Sequence, residues 1–350
     1  MKKLIACTLI SLALVPVSRA QRSLEVVPVV DVAPENNAGL FVGINEFSED
    51  GSISALKYAV NDAVALAHLF VLELKLIPPK RAWVALSGEP SNASIRGRLE
   101  ALRSAGVHIE QRATKTRLLR LIEQVRRRAR EFLVLSFSSH GFEEDGFSFV
   151  VPEDGLLSRL SDTTLPLQTI TQEIRASEAD KRLLLLDACR NRVARGGRMT
   201  PMMSNAFQEA LKSASGQATL ASADIGEVAW EDEAKEHGIF TYYFIDGVRG
   251  GASADGQGLV RLGSVSRYVE DHVSDWALDE GKSQNPWFQG PERARDIPMA
   301  VKSVSRRDPV TDDPDPFTGN TPFPAREIVL QERFSDNRND WAAKHESDRT

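Results

Sequence analysis

Two short stretches decide the fold: Phe132-Leu-Val-Leu-Ser-Phe-Ser-Ser-His140-Gly141 and Arg182-Leu-Leu-Leu-Leu-Asp187-Ala-Cys189-Arg190. Each begins with an apolar run that has the length of a buried strand in a parallel sheet. His140 and Cys189 are therefore both expected just beyond the ends of strands. Ligands bind at those ends in open α/β sheets. A thiol and an imidazole at one sheet edge are the groups that a cysteine hydrolase needs.

Cys189 is expected to be the only cysteine of the mature protein. Cys7 lies within residues 1–20, where two lysines, an apolar run and a final Ser-Arg-Ala form the pattern of a Sec signal peptide. Leu4-Ile-Ala-Cys7 resembles the box of a lipoprotein signal. In such a signal the lipidated cysteine follows the apolar run, whereas Cys7 lies near its beginning. We therefore predict an exported protein, periplasmic or secreted, that begins near Gln21. A lone thiol in an oxidising compartment forms no internal disulfide, which favours a chemical use for it.

The composition is that of an ordinary globular protein, with 42% hydrophobic and 26% charged residues among 350. Removal of residues 1–20 takes away three positive charges and no negative one, so the formal net charge changes from -6 to -9. A nucleic-acid surface would need a basic excess. No apolar stretch after residue 20 is long enough to span a bilayer.

Apolar, strand-like segments alternate with helical ones, which predicts an α/β sheet with covered faces. The predicted strands are 40–44, 83–86, 132–138, 182–187 and 218–222, with a hairpin over 144–151. The predicted helices are 54–72 with Ser54 as its cap, one from Thr114 or Thr116 to about Arg130, 167–176, 202–213, 239–248 and 262–278.

The composition changes near residue 303. Residues 308–324 hold five prolines and four aspartates, which indicates an extended linker. We predict a signal peptide over 1–20, a catalytic domain over 37–302, a linker over 303–327, and over 328–350 the start of a β-sandwich module that the chain truncates.

Four blocks, in order, give the chain a resemblance to caspase-like cysteine peptidases of the C14 family, and within them to bacterial metacaspases and orthocaspases. They are Phe41-Val-Gly-Ile-Asn-Glu-Phe47 with Leu56-Lys-Tyr-Ala-Val-Asn-Asp-Ala63, Ser138-Ser-His-Gly141, Asp187-Ala-Cys-Arg-Asn191 and Gly238-Ile-Phe-Thr-Tyr-Tyr-Phe244. The resemblance covers residues 37–300 and implies a caspase-like α/β fold, with a mostly parallel central sheet flanked by helices on both faces. The family usually reads Ser-Gly-His-Gly, so Ser139 departs from its pattern.

The resemblance implies an endopeptidase that works through a thioester. Cys189 would attack the scissile carbonyl and His140 would transfer the protons. The backbone amides of Gly141 and Cys189 would hold the oxyanion. No metal or organic cofactor is required, but calcium dependence stays open. Asp154 and Asp162 lie in the region where many metacaspases bind calcium, without the family's full ligand set.

The resemblance also implies a substrate class. The residues that form the acidic pocket of metacaspases correspond here to Asp62, Ser138 and Asp187, so the expected substrates are polypeptides cleaved after Arg or Lys. On their own, Asp62 could be a helix-surface residue and Asp187 a hydrogen-bond acceptor at a strand end. The arginine-rich segment 190–198 is either a self-cleavage site or an ordinary surface loop.

Other interpretations stay open. Cys189 could be a buried core cysteine and His140 a satisfied turn histidine. The chain could instead be a catalytically idle caspase-like interaction module, although it keeps both members of the dyad. Another α/β hydrolase or a nucleotide-binding protein is less favoured, because no nucleophile elbow or phosphate-binding loop is present. The remaining histidines, namely His68, His108, His237, His272 and His345, are expected to be structural or solvated.

Overall fold

A computed structural model of the protein describes residues 26–27, 34–144, 147–188, 217–223 and 227–302. Several predictions lie outside these residues: the signal peptide, Cys189, the segment 190–198, the helix 202–213, and the linker and module after residue 302. They stay predictions.

The described residues form strands and helices in alternation. The strands are β1 (Val26–Val27), β2 (Ala38–Ile44), β3 (Ala82–Ser87), β4 (His108–Glu110), β5 (Phe132–Ser138), β6 (Gly141–Glu144), β7 (Phe147–Val150), β8 (Leu165–Pro166), β9 (Lys181–Asp187), β10 (Gln217–Ala221), β11 (Glu231–Asp232), β12 (His237–Gly238), β13 (Leu259–Arg261), β14 (Trp287–Gln289) and β15 (Pro298–Lys302). The helices are α1 (Ala59–His68), α2 (Ala93–Ala105), α3 (Lys115–Arg128), α4 (Leu160–Thr163), α5 (Leu167–Arg175), α6 (Ile239–Asp246) and α7 (Leu262–Asp279).

A seven-stranded sheet in the order β14-β10-β9-β5-β2-β3-β4 forms the centre. Its neighbouring strands pair in parallel, except β14, which is antiparallel to β10. Every residue of β2 and β5 is buried, as expected for strands covered on both faces. The predicted α/β fold class is therefore confirmed.

Helices cover both faces of this sheet. Buried side chains of α3 and α5 pack with Leu40 and Val42 of β2 on one face. Buried side chains of α1, α2, α6 and α7 pack with Phe41 of β2 on the other. Alternate residues of a strand point to opposite faces, which separates the two sets. Within the described ranges, no helix has both the length and the apolar character needed to cross a membrane.

The predicted helix over 54–72 is wrong at its start. The helix α1 begins at Ala59, after Tyr58, and a π-helical turn over Leu69–Glu73 continues it. Ser54 lies in the loop before it and caps nothing. The amide groups at the start of α1 are bound instead by distant side chains: Asn45 Oδ1 accepts from Val60 N at 3.1 Å, and a carboxylate oxygen of Glu231 accepts from Tyr58 N at 2.8 Å.

Helix α2 was not predicted, although its signals are in the sequence. Asn92 is its N-cap, and its Oδ1 accepts from Ile95 N at 2.9 Å. Gly106 ends the helix with φ of 93°, a left-handed conformation that favours glycine.

Helix α1 packs very closely on β2. A Cβ atom at Gly43 would lie 2.4 Å from the carbonyl oxygen of Ala59 and 2.8 Å from Ala63 Cβ. Only glycine allows this approach. The contact fixes the height of α1 above the carboxyl end of the sheet.

Candidate active site

Three adjacent parallel strands, β2, β5 and β9, end at the same edge of the sheet. Ser138 of β5 is paired in register with Gly43 of β2 and with Asp187 of β9. Residues in register on parallel strands point to the same face. Ser138 and Asp187 therefore point to the face that α1 covers.

His140 follows β5 and is completely buried. Its Nε2 lies 2.7 Å from the carbonyl oxygen of Ser54, and its ring centroid is 5.0 Å from that of Phe47. A carbonyl only accepts hydrogen bonds, so Nε2 carries a proton. In the neutral ring, Nδ1 is then the basic nitrogen.

The Ser54 carbonyl belongs to a loop with several anchors. Asn45 Nδ2 donates to the carbonyl oxygen of Lys57 at 3.2 Å. The Asp50 carboxylate accepts from the amide of Leu157 at 2.8 Å and from that of Ser52 at 3.0 Å. These bonds hold the loop on both sides of Ser54, and so they hold the imidazole of His140.

Ser139 departs from the Ser-Gly-His-Gly pattern, and the structure accommodates its side chain. Its side chain is completely buried, and its hydroxyl donates to the carbonyl oxygen of Val151 at 2.7 Å. The amide of Val151 donates in turn to the carbonyl oxygen of His140 at 2.9 Å. The extra hydroxyl is thus satisfied within the segment that presents His140.

Asp62 and Ser138 are in direct contact. The Ser138 hydroxyl donates to Asp62 Oδ2 at 3.0 Å, and the Asp62 side chain is completely buried. Asp62 Oδ1 also lies 2.8 Å from His237 Nδ1 and accepts from Gly238 N at 3.1 Å. These donors offset the cost of burying a carboxylate. Asp62 is therefore an interior group, which removes the helix-surface interpretation.

Asp187 lies at the end of β9 and is 3% exposed. Its Oδ2 accepts from the hydroxyl of Thr241 at 2.8 Å, and its carbonyl oxygen accepts from Ser139 N at 3.2 Å. Asp187 is thus a hydrogen-bond acceptor at a strand end. The structure brings it, Ser138 and Asp62 to the same corner of the sheet.

Gly141 and Cys189 are the two remaining residues of the predicted catalytic machinery. Gly141 is buried at the start of β6, directly after His140. Cys189 lies outside the described residues, two positions after Asp187 in the sequence. Their catalytic roles stay predictions.

Sequence reasoning missed His237 and Thr241 as part of this corner, and Ser54 as the partner of His140. The block Gly238–Phe244 was noticed, and it contains Thr241 and follows His237 directly. The block therefore pointed to this part of the chain. Its contacts with Asp62 and Asp187 could not be read from it, because they depend on the placement of α6 beside α1.

The other described histidines have structural partners. His68 Nδ1 lies 2.8 Å from Glu73 Oε1. His108 stacks on Trp83 with ring centroids 4.8 Å apart. His272 Nδ1 lies 2.9 Å from the carbonyl oxygen of Tyr268.

The two aspartates considered for calcium have structural partners as well. Asp154 Oδ1 accepts from the amide of Lys115 at 2.7 Å, at the start of α3. Asp162 pairs with Arg159 at 2.6 Å. Among the described residues, no group of three or more His, Cys, Asp or Glu side chains is arranged to hold a metal ion. Calcium dependence stays open.

Comparison with known families gives one match. The family described as peptidase C14, caspase domain, matches residues 37–297, which is more than half of the chain. No curated protein matches the chain.

Proposed function

We propose that this chain, which belongs to the caspase-domain family of cysteine peptidases, is a metacaspase-like endopeptidase that cleaves polypeptides after Arg or Lys. The observation that carries the proposal is the buried contact between Asp62 and Ser138, at the corner of the sheet that also holds Asp187 and His140. Two carboxylates at one site repel each other unless a cation enters between them. An arginine side chain can bind a carboxylate with two parallel hydrogen bonds.

The proposed reaction begins at Cys189. Nδ1 of His140 takes the thiol proton, because Nε2 is bound to the Ser54 carbonyl. The thiolate attacks the scissile carbonyl carbon, and the amides of Gly141 and Cys189 stabilise the oxyanion. The imidazolium then donates its proton to the leaving amine, which leaves a thioester. Water, deprotonated by the same imidazole, hydrolyses the thioester and restores the thiol.

The fold supports this assignment of roles. The Ser54 carbonyl holds the tautomer of His140 that leaves Nδ1 basic, in the way that a carboxylate orients the base in other hydrolases. A carbonyl has no net charge, so it orients the ring without adding a third ionised group near Asp62 and Asp187. We assign the recognition of a basic substrate side chain to Asp62 and Asp187.

The test is hydrolysis of fluorogenic peptides that end in Arg, Lys or Asp by the full chain, with and without calcium. Cys189→Ala is the control for the nucleophile, and Asp62→Asn is the control for the pocket. We expect activity on Arg and Lys peptides that Cys189→Ala abolishes and Asp62→Asn reduces. A preference for Asp peptides contradicts the pocket assignment, and a folded but inactive wild-type protein favours the idle interaction module.

We also propose that the protein is exported through residues 1–20. The expected result is a periplasmic or extracellular product that begins near Gln21, as read by N-terminal sequencing. A product that retains Met1 in the cytoplasm contradicts export.

A further inference from the structure

The hairpin of β11 and β12, residues 231–238, is firmly attached to the body of the domain. Its strands pair Glu231 with Gly238 and Asp232 with His237. The indole of Trp276 in α7 donates to Asp232 Oδ2 at 3.0 Å. These contacts make the hairpin a fixed support.

This hairpin holds the start of α1 at several points. The Glu231 carboxylate accepts from the amides of Tyr58 at 2.8 Å and Lys57 at 3.2 Å. The carbonyl oxygen of Glu236 accepts from Asn61 Nδ2 at 2.8 Å. Amide groups at a helix start have no partner within the helix, so these bonds define where α1 begins.

His237 is the hairpin residue that reaches Asp62 through a side chain. An ionised carboxylate only accepts hydrogen bonds, so His237 Nδ1 carries a proton and donates it to Asp62 Oδ1 at 2.8 Å. The opposite oxygen, Oδ2, accepts from Ser138 at 3.0 Å. Donors on both sides fix the rotation of the carboxylate.

His237 also lines a cavity of about 260 Å³, whose other charged residues are Arg98, Lys235, Asp246 and Arg249. The His237 side chain is only 13% exposed.

We propose that His237 is a positioning residue that sets selectivity for basic substrate side chains, because its Nδ1 holds the Asp62 carboxylate oriented toward Ser138. This inference rests on the proposed function, since it concerns the same acidic pocket. His237 itself does not touch the reacting atoms; it acts through Asp62.

The test compares two amide replacements of the same histidine. In His237→Asn, the side-chain NH₂ can occupy the position of Nδ1 and donate to Asp62. In His237→Gln, the NH₂ lies one bond further out, near the position of Nε2. The two variants have similar polarity, and the adjacent cavity gives both side chains room. Steady-state kinetics are measured on an Arg peptide and on the same peptide with glutamine at that position.

We expect His237→Gln to raise KM for the Arg peptide about tenfold with kcat nearly unchanged, as for the loss of one hydrogen bond to a charged group. The glutamine peptide is expected to be unaffected. His237→Asn is expected to stay within about threefold of wild type, because one charged hydrogen bond is retained. If His237→Gln does not fold, His237→Leu replaces it as the variant without a donor at this position.

Two results would overturn the inference while leaving the proposed function in place. One is a folded variant that has no donor at the position of Nδ1 and an unchanged KM. The other is an equal loss of kcat in both amide variants and on both peptides, which indicates a general structural role. A wild-type protein that cleaves neither Arg nor Lys peptides overturns the proposed function itself, and this inference with it.

Discussion

Gly43→Ala is expected to damage both stability and substrate recognition. The added Cβ would lie 2.4 Å from the carbonyl oxygen of Ala59, about 1 Å inside an ordinary contact near 3.5 Å. The neighbouring atom belongs to the helix backbone, so α1 as a whole has to move away from β2. A shift of that size along the Asp62–Ser138 direction stretches their 3.0 Å hydrogen bond beyond bonding distance.

The stability cost is expected to be about 1–3 kcal/mol, the range for overpacking a well-packed core. The assay is urea unfolding, with KM for an Arg peptide measured on the same samples and expected to rise about tenfold. Gly39→Ala in the same strand is the matched control. Its Cβ would meet Ile77 Cδ1 at 2.6 Å and the ring of Phe41 at 3.1 Å. Both are side-chain atoms, which can shift without moving α1.

Equal free energies of unfolding and equal KM values for Gly43→Ala and Gly39→Ala would contradict this expectation. In that case, the close approach of α1 to β2 does not control the position of Asp62.

Three further substitutions test other parts of the account. Gly97→Ala in α2 meets no atom within 4 Å and is expected to stabilise by about 0.5–1 kcal/mol in thermal or urea unfolding; a loss of stability contradicts this. Thr241→Val removes the donor to the buried carboxylate at the end of β9 and is expected to cost about 1–3 kcal/mol; a neutral result contradicts it. Burial alone would raise the pKa of Glu73, but hydrogen bonds from His68 and Arg249 lower it from 4.5 to about 2. The pKa of Glu73 is lower in the folded state than in the unfolded state. Glu73 therefore adds up to about 3 kcal/mol to the free energy of unfolding above pH 4.5, and this stabilisation is lost as the pH falls toward 2. The difference in unfolding free energy between wild type and Glu73→Gln should therefore shrink below pH 4.5, whereas a pH-independent difference contradicts the assignment.

The central strands and the position of His140 could be predicted from sequence because their signals are local. An apolar run such as Phe132–Ser138 predicts a buried strand by its length and composition alone. The residue that follows such a strand then lies at the sheet edge, whatever the rest of the chain does. This is why His140, Ser138 and Asp187 could be assigned to one edge before the structure was known.

The start of α1 could not be predicted, because it depends on contacts that are distant in sequence. Ser54 has the chemistry of a helix cap, but Glu231 and Asn45 bind the first amides of the helix instead. The same long-range packing brings His237 to Asp62 across 175 positions. Propensity and periodicity report on near neighbours, so neither could reveal these pairs.

The most direct test of the central claim is covalent labelling of the full chain with peptidyl acyloxymethyl ketones that carry Arg or Asp at the terminal position. Intact mass and peptide mapping identify the labelled residue. We expect a single adduct on Cys189 with the Arg reagent, little or none with the Asp reagent, and a much slower reaction in His140→Ala. Labelling that prefers the Asp reagent contradicts the acidic pocket, and a folded protein that neither reagent labels contradicts the assignment of Cys189 as the nucleophile.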